Sequence, residues 1–215
     1  MVKANARAVT DEENSALKKS DRTRLAILKA AAKLFKERGY TATTLRDVAD
    51  EAGMKAGSLY YHFSSKDEIM DEVLDSGLRG VYGAVTDAIG ECDANNHLEK
   101  IEAAIRAHVK MLFLQGDFVS ANIRLYSQLP EEIRLKHQKL RHEYADLWDQ
   151  LLQEAKEVGL LRADLEIVPL RQFVIGGLNW STEWYDGEKN SVEILAERCI
   201  KLIGHGMYAS REIDD

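Results

Sequence analysis

Proline is almost missing from this sequence, with two among 215 residues. It lacks a backbone N–H and locks φ, so it interrupts helices wherever it falls inside them. Its scarcity, beside long periodic segments rich in Ala, Leu, Glu, Lys and Arg, predicts an all-helical protein. Cysteine is equally scarce. Cys92 and Cys199 are lone thiols without metal-like spacing, and they read as small buried side chains in a reducing compartment. No apolar run is long enough to cross a bilayer, and the polar residues 1–20 do not form a signal peptide. These absences point to the cytoplasm and to no membrane partner. Glycine-rich phosphate loops, nucleophile elbows and metal triads are also missing. His142 and Asp146 lie one turn apart on a helix, as two ligands only, and His137 and Arg141 read as exposed residues of the same solvated helix. No enzyme, cofactor or metal is expected.

The net charge of -7 is unevenly placed. Residues 1–65 carry 12 Lys and Arg against 8 Asp and Glu, whereas the rest carries 17 against 28. A basic head on an acidic body suits a protein that meets phosphate with one end.

Residues 1–20 show no apolar period and read as a flexible arm. A first helix is expected over 21–38, burying Ile27, Ala30, Ala31, Leu34 and Phe35 and stopped by Gly39. A second starts at Thr44, with Asp47 in the reciprocal position of a capping box, turns Leu45, Val48 and Ala49 inward, and ends at Gly53. A third covers residues 57–63. Ser65 with Glu68 forms a capping box for the fourth. Further helices follow over 66–91, 98–115, 118–128, 131–158, 169–186 and 190–208, the last with Asn190 and Glu193 as its start signal, for about nine in all. The expected organisation is an arm (1–20), a helix-turn-helix domain (21–65) and a larger helical domain (66–215).

Two short helices joined by a glycine turn after a longer one make a helix-turn-helix plan. The stretch 43–66, with its Leu59-Tyr60-Tyr61-His62-Phe63 run and Lys66 after the next cap, closely resembles the DNA-binding signature of the TetR family of bacterial regulators. The resemblance covers about residues 21–75 and implies a regulator, most often a repressor, that binds double-stranded operator DNA. It implies phosphate contacts from Thr44, Tyr60, His62 and Lys66, and groove contacts from Lys55, Gly57, Ser58 and Tyr61. Arg46 is an outward-facing candidate for backbone or base contact. A helical adaptor or ligand carrier whose helix-turn-helix merely packs is the competing reading.

The same resemblance implies a homodimer through the last two helices. Val192, Leu195, Ala196, Cys199, Leu202 and Ile203 repeat in steps of three and four, and Gly177 and Ser181 permit close approach. A helix pair inside one chain explains that seam as well. It further implies an apolar effector pocket among the middle helices. Candidate residues there are Leu112, Phe113, Arg124, Tyr126, Trp148, Phe173, Asn179, Trp180 and Trp184. No positive cluster for an anionic ligand is visible. The segment 179–187 is similar to the Trp-Tyr-rich helix end of some TetR-type regulators of fatty-acid, steroid or acyl-CoA catabolism, which suggests an acyl-CoA or related lipophilic acid as effector.

Overall fold

A computed structural model of the chain describes residues 11–126, 129–187 and 189–207. Among them it forms nine helices: α1 (Asp11–Arg38), α2 (Leu45–Glu51), α3 (Ala56–Leu59), α4 (Lys66–Gly90), α5 (His97–Leu114), α6 (Gly116–Arg124), α7 (Glu131–Glu157), α8 (Ile167–Trp184) and α9 (Val192–Met207). The all-helical expectation holds. The chain divides into two compact units, and the division falls inside α4, between Glu72 and Val73.

In the first unit, α1 begins at Asp11, well before residue 21, where its apolar period starts. Residues 11–20 therefore belong to a helix, not to an arm; residues 1–10 lie outside the described residues. Neither Gly nor Pro interrupts 11–38, so no breaker in the sequence stops the helix from starting before residue 21. That core joins Ile27, Leu28, Ala31, Leu34 and Phe35 of α1 to Val48 and Ala49 of α2, to Leu59 and Phe63, and to Ile69 and Met70 of α4. Gly39 and Gly53 take φ of +82° and +68°, the left-handed region that ends α1 and α2. The Thr44 box closes as expected, its hydroxyl accepting from the Asp47 N–H at 3.2 Å while its own N–H donates to Asp47 at 2.8 Å. The second box closes differently. Ser65 accepts from the Glu68 N–H at 3.1 Å, but the Glu68 carboxylate reaches one residue further back, to the Ser64 N–H at 2.7 Å.

In the second unit α5 is central and packs on α6, α7, α8 and α9. Its Ile101, Ala104, Ile105, Val109 and Leu112 meet Trp148, Leu151 and Leu152 of α7, Leu178 of α8, and Leu195, Ala196 and Ile200 of α9. The last helix starts at Val192 with Ser191 as its cap, the hydroxyl accepting from the Ile194 N–H at 3.3 Å, and Asn190 instead donates to the Asp186 carbonyl. Gly77 of α4 lies so close to α6 that a Cβ there would stand 2.7 Å from the Phe118 carbonyl oxygen, whereas a Cβ at Gly83 would meet nothing within 4 Å. Gly77→Ala is therefore expected to lower the thermal midpoint. Gly83→Ala is expected to raise stability by about 0.4–1 kcal/mol, since alanine restricts the unfolded chain. Thermal and urea denaturation of both variants would check this pair, and equal effects would contradict it.

Candidate nucleic-acid interface and effector cavity

The third helix is short, Ala56–Leu59, and the chain leaves it through tighter turns, the Tyr61 N–H bonding the Ser58 carbonyl and the His62 N–H the Leu59 carbonyl. One side of this segment is core: Leu59 and Phe63 are buried. The other side is open. Thr44, Arg46, Lys55, Gly57 and Ser58 are exposed, and His62 is half-buried. Tyr60 and Tyr61 are exposed by 59% and 90%, an unusual position for two adjacent rings with a core beside them. The Thr44 hydroxyl is already engaged with Asp47, so any further ligand would have to share it.

What holds this segment was not legible in the sequence. Arg24 of α1 donates from Nη1 to the His62 carbonyl at 2.7 Å, pairs with Glu72 of α4, and lies 4.0 Å over the Phe63 ring. Its partners are 38 and 48 positions away, beyond any local pattern. Lys66, the first residue of α4, donates to the Tyr40 and Thr43 carbonyls at 2.8 and 2.9 Å and sits 4.2 Å over the Tyr40 ring. Two of its three N–H groups thus serve the fold, and burial lowers its pKa. The Tyr40 hydroxyl also donates to Asp67. The exit of the α3 segment and the start of α4 are in this way tied to α1 and its following loop.

The second unit contains a cavity of about 370 Å³, walled by α4, α5, α6, α7 and α8. Its apolar wall includes Leu78, Val81, Val119, Ile123 and Ile175; its polar wall includes His108, Asn122, Tyr126, Arg141, Tyr144, Arg171 and Asn179. Of the residues picked out from sequence, Tyr126 and Asn179 line it. Leu112 and Trp148 are packed core instead, Phe113 lies against Gly187 and Tyr185, and Arg124 pairs with Glu183 at 2.5 Å. Phe173, Trp180 and Trp184 point to solvent, exposed by 83%, 66% and 62%. Arg141, read as exposed, is part of the wall, and His137 is buried. Arg171 is neutralised by Asp149 at 2.7 Å, while Arg141 has no carboxylate beside it among the described residues.

Three helices meet at His108, which sits between the Tyr144 hydroxyl at 2.6 Å and Asn179 Oδ1 at 3.0 Å. These partners fit a neutral ring that accepts the tyrosine proton at Nδ1 and donates from Nε2. Burial drives the pKa down to about 4, against a small opposing effect of Asn179, and raises that of Tyr144.

Small and apolar residues share the solvent side of α8: Phe173, Gly176, Gly177, Trp180 and Trp184. The α9 seam is mostly spent inside the chain. Leu195 and Ala196 are buried in the core, Val192, Cys199 and Ile203 are half-buried against it, and Leu202 alone of the six is exposed, at 78%. Ser181 is fully buried, its hydroxyl donating to the Leu178 carbonyl, while Gly177 is exposed.

Because His108 takes a proton near 6.5 when unfolded and only near 4 when folded, the unfolded chain binds more protons between those values. Stability from this group is complete above 6.5 and declines as the pH falls toward 4, by on the order of 3 kcal/mol. His108→Gln is expected to flatten that part of a urea-denaturation pH profile, and identical profiles would refute the assignment.

The profile described as bacterial regulatory proteins, tetR family, matches residues 27–73, and that described as tetracyclin repressor-like, C-terminal domain, matches 94–207. The HTH-type transcriptional repressor KstR2 of Mycolicibacterium smegmatis is 30% identical over 198 residues, covering 86% of this chain and 90% of that protein. KstR2 of Rhodococcus jostii is 31% identical over 193 residues, with the same coverages of 86% and 90%. The solved structure of the ketosteroid transcriptional regulator KstR2 of Mycobacterium tuberculosis matches with a TM-score of 0.79 at 27% identity, covering 87% of this chain and 95% of that one. These relatives are transcriptional regulators, not enzymes. With its helix-turn-helix and its helical second unit both matched, this chain belongs to the TetR family of DNA-binding bacterial regulators.

Proposed function

We propose that this chain is a cytoplasmic repressor that binds operator DNA as a homodimer and is released when a small lipophilic effector fills the cavity of the second unit. The observation that carries the DNA-reading part is the exposed Tyr60–Tyr61 pair beside Lys55 and Arg46, fixed on a segment whose other side is core. Hydroxyl, imidazole and ammonium groups on such a face suit phosphate oxygens, and Lys55 suits the guanine edge in the major groove. Lys66 contributes chiefly by holding α4 to the preceding loop, with one N–H left for phosphate. In gel-shift titrations against DNA from the chain's own upstream region, Tyr60→Ala is expected to weaken binding to all sequences alike. Lys55→Ala is expected to relax base preference, costing about 1–3 kcal/mol at the base it reads. Unaltered binding by both variants would remove the roles given to them.

One reading head spans only a few base pairs, so two-fold symmetry is the economical way to read a whole operator. The α8 stripe supports the dimer: five residues at helical spacing, three aromatic and two glycine, lie outside the core. In this reading Phe173, Trp180 and Trp184 serve the subunit contact, not the effector. Phe173→Glu combined with Trp180→Glu is expected to yield monomers in sedimentation equilibrium with an unchanged helical spectrum. A variant that stays dimeric would move the interface elsewhere.

A solved relative named as a ketosteroid transcriptional regulator, together with the aliphatic part of the wall, supports a lipophilic effector. An acyl group fits a cavity of about 370 Å³, which is at the small end for ligand sites; the coenzyme of an acyl-CoA would have to remain outside. Leu78 and Val81 of α4 belong to the wall, and α4 is the helix that begins at Lys66. An effector preferring one placement of α4 shifts the population, and DNA must weaken the effector reciprocally.

A further inference from the structure

Arg141 lines the cavity, half-buried, and has no counter-charge among the described residues, although a cation withdrawn from water normally requires one. Its Nη2 donates to the Asn122 carbonyl and to Asn122 Oδ1, at 2.8 and 3.1 Å, and its guanidinium lies 3.6 Å over the Tyr126 ring. Its Nε is buried with no partner, and Nη1 has none among the described residues. Burial lowers its pKa, opposed only by Tyr126. The other arginine of the wall has Asp149, and the histidine is held neutral by its surroundings. Among the described residues the hollow therefore carries one uncompensated positive charge, in a wall that also presents Leu78, Val81, Val119, Ile123 and Ile175. Packing against Tyr126 and Asn122 does not need a charge; an anion entering from the hollow does.

Asn122 gives this charge a mechanical consequence. While its two oxygens accept from Arg141, its Nδ2 donates to the Leu74 carbonyl of α4 at 2.9 Å. The contact is tight, since α4 meets the Phe118 carbonyl and Asn122 at Gly77 with no room for a Cβ. A ligand that draws the guanidinium toward itself must pull on or release Asn122, and with it a backbone carbonyl of α4.

We propose that the cavity takes a compact lipophilic carboxylate whose anionic head pairs with Arg141, and that Asn122 passes the formation of this pair to α4. The proposal rests on the effector reading above and narrows it to a free acid: the carbonyl of a thioester is uncharged and leaves the guanidinium unpaired.

The test uses the full chain and three matched probes: octanoate, 1-octanol and octanoyl-CoA. Calorimetry reads binding, and anisotropy of a labelled upstream duplex reads DNA release. Octanoate is expected to bind the wild type at least about tenfold more tightly than 1-octanol, the size of one charge-assisted pair. Arg141→Gln should bring the acid down to the affinity of the alcohol and change the alcohol by less than about threefold, while Arg141→Lys should retain part of the difference. Asn122→Ala, tested at octanoate concentrations that calorimetry shows to saturate the variant, should lose octanoate-driven DNA release. Equal binding of acid and alcohol to the wild type would overturn the proposal, as would Arg141→Gln weakening both alike or octanoyl-CoA outbinding the acid independently of Arg141. If the alcohol releases DNA as well as the acid does, the lipophilic-effector reading survives and the carboxylate proposal fails. If none of the three releases DNA, both fail.

Discussion

A helix of four residues cannot maintain itself, because a single turn fixes more dihedral angles than its hydrogen bonds repay. Here α3 is such a helix, and it still presents two exposed tyrosines beside a packed core. Its rigidity is supplied from outside. Leu59 and Phe63 anchor one face in the core, Arg24 grips the carbonyl at its exit, and Lys66 fastens the start of α4 to the loop before α2. Arg24 does three things with one side chain: it satisfies a carbonyl, neutralises Glu72 and covers the Phe63 ring. The planar, multi-donor guanidinium suits that role in a way that an ammonium does not.

The second unit works on a different constraint, which is to keep a hollow open inside a packed bundle. Interiors of proteins are dense, and an apolar void tends to close or to cost stability. Here the wall is braced by polar groups that span helices: His108 of α5 with Tyr144 of α7 and Asn179 of α8, and Asn122 of α6 with Arg141 of α7 and the Leu74 carbonyl of α4. Directional bonds of this kind specify one arrangement, because any slip leaves a buried donor or acceptor unpaired. Helix α8 separates its duties by face. Val174, Leu178 and Ser181 enter the core, Arg171, Ile175 and Asn179 face the hollow, and Phe173, Gly176, Gly177, Trp180 and Trp184 face solvent.

Local signals carried the helices and the reading head. The 3.6-residue period located the long helices, Gly39 and Gly53 marked two ends through their positive φ, and the Thr44–Asp47 box was readable because both partners lie within one turn. By contrast α3, expected over 57–63, is the single turn Ala56–Leu59. The same logic misjudged Glu68 by one residue, since a long carboxylate can choose between the N–H groups of Ser64 and Ser65. It also began α1 at residue 21, where the apolar period starts, although the helix begins at Asp11.

Composition and periodicity by themselves determined an all-helical chain with a basic, tyrosine-bearing helix-turn-helix followed by a larger helical body. Only the tertiary structure decided which face of each long helix meets core, cavity or solvent. Apolarity says that a side chain leaves water, not where it goes, so Trp148 at the centre and Trp180 on the surface looked alike. Arg141 read as an exposed residue of a solvated helix until its surroundings placed it facing a hollow, while Arg171 of the same wall lies beside a carboxylate. Charge becomes consequential only when water is removed from it, and which charges lose their water is settled by packing between residues far apart in the chain.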